Sequence, residues 1–196
     1  VGDLRRFPFV KPDEGTFRVN VPVKDVQLAY APEWPVAEKL TGELIFERNG
    51  MTGKFDSGQI YGVRFNAVNA VIPDFERSVL RLQLNGAGPA PDLLRFLHDS
   101  PLHEQFDDFT ADTSASGDAR LNLQLNLPIL QLERTTLEGA VQLAGNTFTM
   151  DPTLPPLSQV GGRIEFSERG FALRDLRGLF LGGPIALEGD TQSGTG

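Results

Sequence analysis

The chain contains no cysteine among its 196 residues. That excludes a disulfide scaffold and a thiolate metal site, and it fits a reducing cytosol and a disulfide-poor periplasm equally well. A basic surplus is also missing, because 18 Lys and Arg stand against 26 Asp and Glu, a net charge of −8. Nucleic acid and anionic membrane surfaces need basic patches to offset their phosphates, so neither is expected as a directly held partner. No stretch of eighteen apolar residues occurs in the sequence, so nothing reads as a helix crossing a bilayer. The chain opens on VGDLRRFPFVKP without an initiating Met or a secretory leader and closes on DTQSGTG. We read it as a piece of a longer protein.

Catalytic signatures are missing too. There is no Gly-x-Ser-x-Gly elbow and no phosphate loop, and NGAGPAPD offers Gly86 and Gly88 without the third glycine of a dinucleotide site. Neither an enzyme nor a cofactor is expected. The two histidines, His98 and His103, lie among Asp99, Glu104, Asp107, Asp108 and Asp112, which raises a metal site as a possibility. Residues five apart fall on different sides of a helix, however, and the acidic run lacks the regular oxygen spacing around a Gly that a hard cation requires. The expectation is a solvated acidic connector that holds no metal.

What the sequence does have is alternation. Its 40% hydrophobic content is enough for a substantial core. In RLNLQLNLPI, the apolar Leu121, Leu123, Leu125, Leu127 and Ile129 alternate with Arg120, Asn122, Gln124, Asn126 and Pro128, the period of a strand with one wet face. The same period runs through Phe17/Val19/Val21/Val23, Val26/Leu28/Tyr30, Leu40/Gly42/Leu44/Phe46, Leu80/Leu82/Leu84, Leu137/Gly139/Val141/Leu143, Ile164/Phe166 and Ile185/Leu187. Antiparallel sheets covered on one face read this way. Asn49-Gly50 and Arg169-Gly170 mark tight hairpins between such runs. One segment reads as an interior helix, near 91–99, with Pro91 in its first turn, an apolar stripe of Leu93, Leu94, Phe96 and Leu97, and Pro101 as its stop. A second short helix is expected at Gly2 to Phe7, and His103 to Gly117 reads as a loop.

The chain also repeats itself. Shifted by 120, Thr16–Asn69 matches Thr136–Gly189 without a gap, with identities at Thr16/Thr136, Val21/Val141, Pro32/Pro152, Pro35/Pro155, Gly42/Gly162, Phe46/Phe166, Gly50/Gly170, Gly58/Gly178 and Gly62/Gly182. Positions between them keep their class, as in Leu44/Ile164 and Lys54/Arg174. A unit used about one and a half times points to a stacked, elongated architecture. The division expected is a first unit over 1–111 and a partial second over 112–196.

Two stretches carry a resemblance. LRRFPFVKPDEGTFRVNVPVKDVQLAYAPEWPVAEKLTGELIFERNGMTGKFDSGQIYGV and VGGRIEFSERGFALRDLRGLFLGGPIALEGD resemble the YhdP-type proteins of the AsmA-like superfamily, large envelope proteins of Gram-negative bacteria. The resemblance implies a segment of a periplasmic bridge that carries phospholipids between inner and outer membrane, within a full-length chain anchored in the inner membrane. It implies no catalytic residues. The fold expected is mainly β, an elongated, curled antiparallel sheet forming a repeating β-groove with one or two short helices. A closed β-sandwich is the alternative, with the chain then an adaptor module whose apolar face is permanently buried.

On the groove reading, the partners are phospholipid acyl chains and neighbouring repeats of the full-length chain. The side chains expected to line the groove are Val19, Val21, Leu28, Leu44, Phe46, Leu82, Leu121, Leu123, Leu125, Leu127, Val141, Leu143, Ile164 and Phe166.

Overall fold

The computed structural model describes residues 15–103, 112–131 and 134–191; the helix expected at Gly2 to Phe7 lies outside them. Eleven strands and one α-helix follow one another along the described chain: β1 (Arg18–Leu28), β2 (Ala37–Glu47), β3 (Gly50–Ile60), β4 (Val63–Ile72), β5 (Val79–Pro89), α1 (Ala90–His98), β6 (Ser114–Ser116), β7 (Asp118–Pro128), β8 (Thr136–Thr149), β9 (Leu157–Ser167), β10 (Gly170–Phe180) and β11 (Gly183–Asp190). They form one antiparallel sheet in the order β1-β2-β3-β4-β5-β7-β8-β9-β10-β11, with the short β6 paired to β8. β1 and β11 are its two ends and do not pair with each other. The sheet is therefore open, and among the described residues no second sheet packs on it as a sandwich would require.

Strand boundaries recur along the chain. β9 and β10 begin and end 120 residues after β2 and β3, and β11 begins 120 residues after β4. Registers recur with them: Thr41 pairs with Ser57 as Gly161 pairs with Arg177, and Val26 pairs with Leu40 as Asn146 pairs with Val160.

The sheet curls because its strands are bulged. Asp25, Lys39, Ala67, Gln159 and Asp175 have φ between 50 and 54°, and Gly145 has φ 83°. Register shifts fall at each of these positions, between Val23 and Val26, Glu38 and Thr41, Asn66 and Asn69, Ala144 and Asn146, Arg174 and Arg177, and, opposite Gln159, Arg177 and Leu179. An extra residue bends the strand and increases its twist. It also inverts the phase of the side chains, so that β4 buries Val63 and Phe65 before the bulge and Val68, Ala70 and Ile72 after it. For the exposed Gln159, replacement by Val, a β-branched residue in the left-handed region, is expected to cost about 1–2 kcal/mol in a urea unfolding curve. Gln159→Gly is expected to be neutral or mildly stabilising.

Two sequence expectations need correcting. Ser114–Ser116, taken as part of a loop, forms strand β6 against Thr147–Thr149. Tyr30, taken as the end of a strand, lies beyond β1 and stacks on Trp34 at 6.0 Å between ring centroids. The helix matches its expected place to within one residue.

Candidate functional site

The inward side chains of successive strands align in rows that cross the sheet. One row runs Phe65, Gly86, Leu121, Val141, Ile164, Leu173, each opposite the next on the neighbouring strand. Another runs Val21, Leu44, Gly53, Ala70, Leu82, Leu125, Leu137. Strands lie about 4.8 Å apart, so ten of them carry an apolar floor for roughly 43 Å at right angles to the chain direction. Glycines in the rows make room for large neighbours. A Cβ on Gly139 would run into the Phe166 ring, and one on Gly86 would come within 3.0 Å of the Phe65 ring.

The opposite face is polar and self-satisfied. Asn122 donates to Asn85 Oδ1 at 2.7 Å, and Arg174 pairs with Asp190 at 3.0 Å and Glu165 at 3.4 Å. An open depression of about 580 Å³ reaches Arg163, Glu165, Arg169 and Asp190. Arg163 pairs with Glu165 at 3.0 Å, so charges of both signs meet there. This is a solvated surface, not a site with converging groups of one kind.

Helix α1 lies on the apolar side. Its Leu93 packs both on the cluster of Phe55, Phe65 and Leu84 and on the cluster of Ala119, Leu143, Val160 and Leu176. Phe96 joins the first cluster and stacks on Trp34 at 6.0 Å. Between α1 and strands β7–β11 remains a cavity of about 230 Å³, lined by Leu93, Leu94, Phe96 and Leu97 from the helix and by inward residues of the strands. Thr113 is the one hydroxyl-bearing residue in its wall.

The sequence expectation and this cavity overlap in part. Leu121, Leu123, Leu125, Val141, Leu143, Ile164 and Phe166 line it. Leu127 is buried beside Leu125 and Leu137. Leu44 and Leu82 pack on the Phe55 cluster instead, while Phe46 is half-buried between Val19 and Met51. Val19, Val21 and Leu28 belong to the end strand β1 and are 41%, 37% and 40% exposed. The largest omissions were Trp34, the helix stripe, and Val160, Phe171 and Leu176. The stripe's periodicity was legible, but a helix with one apolar face can lie on either side of many strands.

Of the two histidines, His98 contacts Asp99 at 3.1 Å and His103 contacts the Ser100 carbonyl at 2.9 Å. Glu104, Asp107 and Asp108 lie outside the described residues, and no group of potential metal ligands forms among the described ones. Asp99 is held below its ordinary value near 3.8 by the hydrogen bond from Tyr61, then by His98 and Arg95. A depressed carboxyl contributes stability above its unfolded pKa and loses it as pH falls through the folded value, so this contact persists at neutral pH and weakens below the ordinary carboxylate range. Partial burial, then the nearby Tyr61, raise the Tyr30 hydroxyl above its ordinary value.

An open antiparallel sheet whose concave face is apolar from strand to strand, without a cluster of polar groups to fix one ligand, defines a β-groove protein. This chain belongs to the YhdP family, whose model, described as "YhdP protein", matches residues 1–196. It is 28% identical over 193 residues to the protein named "Intermembrane phospholipid transporter YhdP" of Escherichia coli (strain K12). That alignment covers 98% of this chain and 15% of the relative, so the chain spans about a seventh of that protein's length. No solved structure matches it.

Proposed function

We propose that this chain is a segment of a bridge that conducts phospholipids across the periplasm, with acyl chains lying in the apolar groove and head groups in water. The observation that carries the reading is the pair of faces on one open sheet, one apolar along its whole width and the other charged. Burying a methylene contributes about 0.8 kcal/mol, so about a dozen of them gain roughly 10 kcal/mol over water. Because rows of Leu, Val and Phe offer nearly the same gain at each strand, an acyl chain slides without meeting a deep well. A pocket with converging polar groups would instead hold it in place.

On this reading, all fourteen residues named from the sequence face lipid at some point of its passage. Those on β7–β9, Leu127 apart, do so inside the cavity, and those on β1 do so where the groove continues into a neighbouring repeat. The 120-residue recurrence supports a division into units 1–111 and 112–196, with α1 toward the end of the first. The relative's printed role supports lipid as cargo, and the full-length chain would be anchored in the inner membrane of a Gram-negative bacterium. No catalytic step is assigned.

Native mass spectrometry of protein purified without detergent, followed by organic extraction, tests the proposal. Near-stoichiometric phospholipid is the expected result. Clean apo protein that also fails to bind an apolar dye would favour an adaptor module with its apolar face permanently covered.

A further inference from the structure

We infer that α1 is a latched roof over the groove, and that a lipid passes this point only when the helix lifts. The inference rests on the phospholipid reading above.

The helix sits in the path itself. An α-helix with its side chains is about 10–12 Å across, and α1 lies against inward residues of the first half of the sheet, at Phe55, Phe65 and Leu84, and of the second, at Ala119, Leu143 and Val160. The groove to either side of it is unequal. Toward β7–β11 the cavity remains, while toward β1 stand Phe96 packed at a tilt against Trp34 and Trp34 against Tyr30. An acyl chain in the cavity meets a wall of aromatic rings at the helix.

The polar contacts that hold α1 down sit at a single rim. Near its first turn, Asp92 accepts the Gly62 backbone N–H at 3.1 Å. Just past its last turn, Asp99 accepts the Tyr61 hydroxyl at 2.8 Å and the Arg95 Nε–H at 3.2 Å, and the Arg95 guanidinium lies 3.9 Å over the Tyr61 ring. Tyr61 and Gly62 form the tight turn between β3 and β4, where Tyr61 has φ 51°. A third tie, from the Ala90 N–H to the Gly117 carbonyl at 2.8 Å, fixes the start of the helix. Exposed hydrogen bonds and ion pairs of this kind contribute little each, so the latch is reversible. The rest of the adhesion is apolar contact through Leu93 and Phe96, which an acyl chain can replace like for like. Lipid therefore competes with the helix for the same floor.

A covalent lock tests this. A Cβ built on Gly62 lies 3.4 Å from Asp92 Cγ, close enough for Gly62→Cys with Asp92→Cys to bridge, and these 196 residues hold no other cysteine. The pair is placed in the full-length protein in cells with radiophosphate-labelled lipids, together with a photo-crosslinking residue at Leu44 or at Ile164. These positions stand on opposite sides of α1 along the sheet. The expected result under oxidation is loss of lipid labelling at one of the two positions, returning on reduction; the position that goes dark marks the downstream end. Equal labelling at both, oxidised or reduced, overturns the roof. Absence of labelling at both positions even in the reduced protein sinks the groove reading itself and so is distinguishable. Should the bridge fail to form, Tyr61→Phe with Asp92→Ala, which removes the acceptor of the Gly62 N–H, releases the latch without a lock. A faster chase of pulse-labelled lipid from Ile164 is then expected, and an unchanged rate overturns the inference.

Discussion

Leu123→Asp is expected to remove lipid from the groove while Gln124→Lys, one residue along the same strand, leaves it in place. Leu123 faces Leu84 on β5 and Gly139 on β8, and its side chain lines the cavity under α1. A carboxylate there faces an apolar cavity wall with no hydroxyl partner beyond Thr113 among its lining residues, and desolvating it costs several kcal/mol. The group responds by raising its own pKa. The sign follows: the ionised form is the costly one, so the defect deepens as pH rises through the raised value and is relieved below it. Gln124 is exposed on the other face, opposite Gln83 and Glu138. A lysine there gains a neighbour of opposite charge and adds a few tenths of a kcal/mol at most. Lipid photo-crosslinking read together with circular dichroism and a melting curve separates loss of cargo from loss of fold. A melted Leu123→Asp, combined with a wild-type face that never crosslinks to lipid, would leave a plain structural core.

That pair of substitutions is chosen on β7 because β7 is where sequence and structure agree most fully. Its alternation runs unbroken from Ala119 to Leu127, and it pairs with β5 from Asp118 to Pro128 without a register shift. Elsewhere the phase breaks. In β4 and β10 the bulges at Ala67 and Asp175 move the buried set from one parity to the other, so a search for strict period two finds two short fragments and credits neither as a strand. The 120-residue recurrence stays legible because other bulges fall at matching positions in both copies, at Asp25 and Gly145 and at Lys39 and Gln159.

The roof was harder to foresee for a different reason. The apolar stripe of α1 states that the helix must lie on something, but its position depends on Asp92 and Asp99 finding the β3–β4 turn some thirty residues back. Such contacts leave no periodic trace. Neither does Trp34, whose role rests on meeting Phe96.

One polar residue did mark itself by its place in the repeat. Asn146 occupies the position that Val26 holds 120 residues earlier, opposite Val160 as Val26 is opposite Leu40, and it is 0% exposed. A buried amide in an apolar slot must satisfy its own atoms. Its Nδ2 donates to the carbonyls of Ser116 and Asp118, both at 3.1 Å, and its Oδ1 accepts the Ala144 N–H at 2.9 Å. Between those two carbonyls lies Gly117, at φ 88°, whose own carbonyl receives the Ala90 N–H at the start of α1. One side chain thus pins the β6–β7 turn on which the helix is seated.

Asn146→Leu is expected to destabilise the chain by about 2–4 kcal/mol, because the carbonyls of Ser116 and Asp118 and the Ala144 N–H lose their shared partner together. Asn146→Asp keeps the acceptor for Ala144 but turns an oxygen toward both carbonyls, and its pH dependence gives the more specific test. Burial and the facing carbonyls raise the pKa of the introduced carboxyl above the unfolded value, so the folded state binds the proton more tightly and stability falls as pH rises through the raised pKa. Below it, the protonated acid donates to one carbonyl and recovers part of the loss. Urea unfolding followed from about pH 4 to pH 8 should therefore show this variant gaining on wild type as pH is lowered, while Asn146→Leu keeps a constant deficit. A flat difference for Asn146→Asp would mean that water reaches the turn and that its carbonyls never depended on the amide.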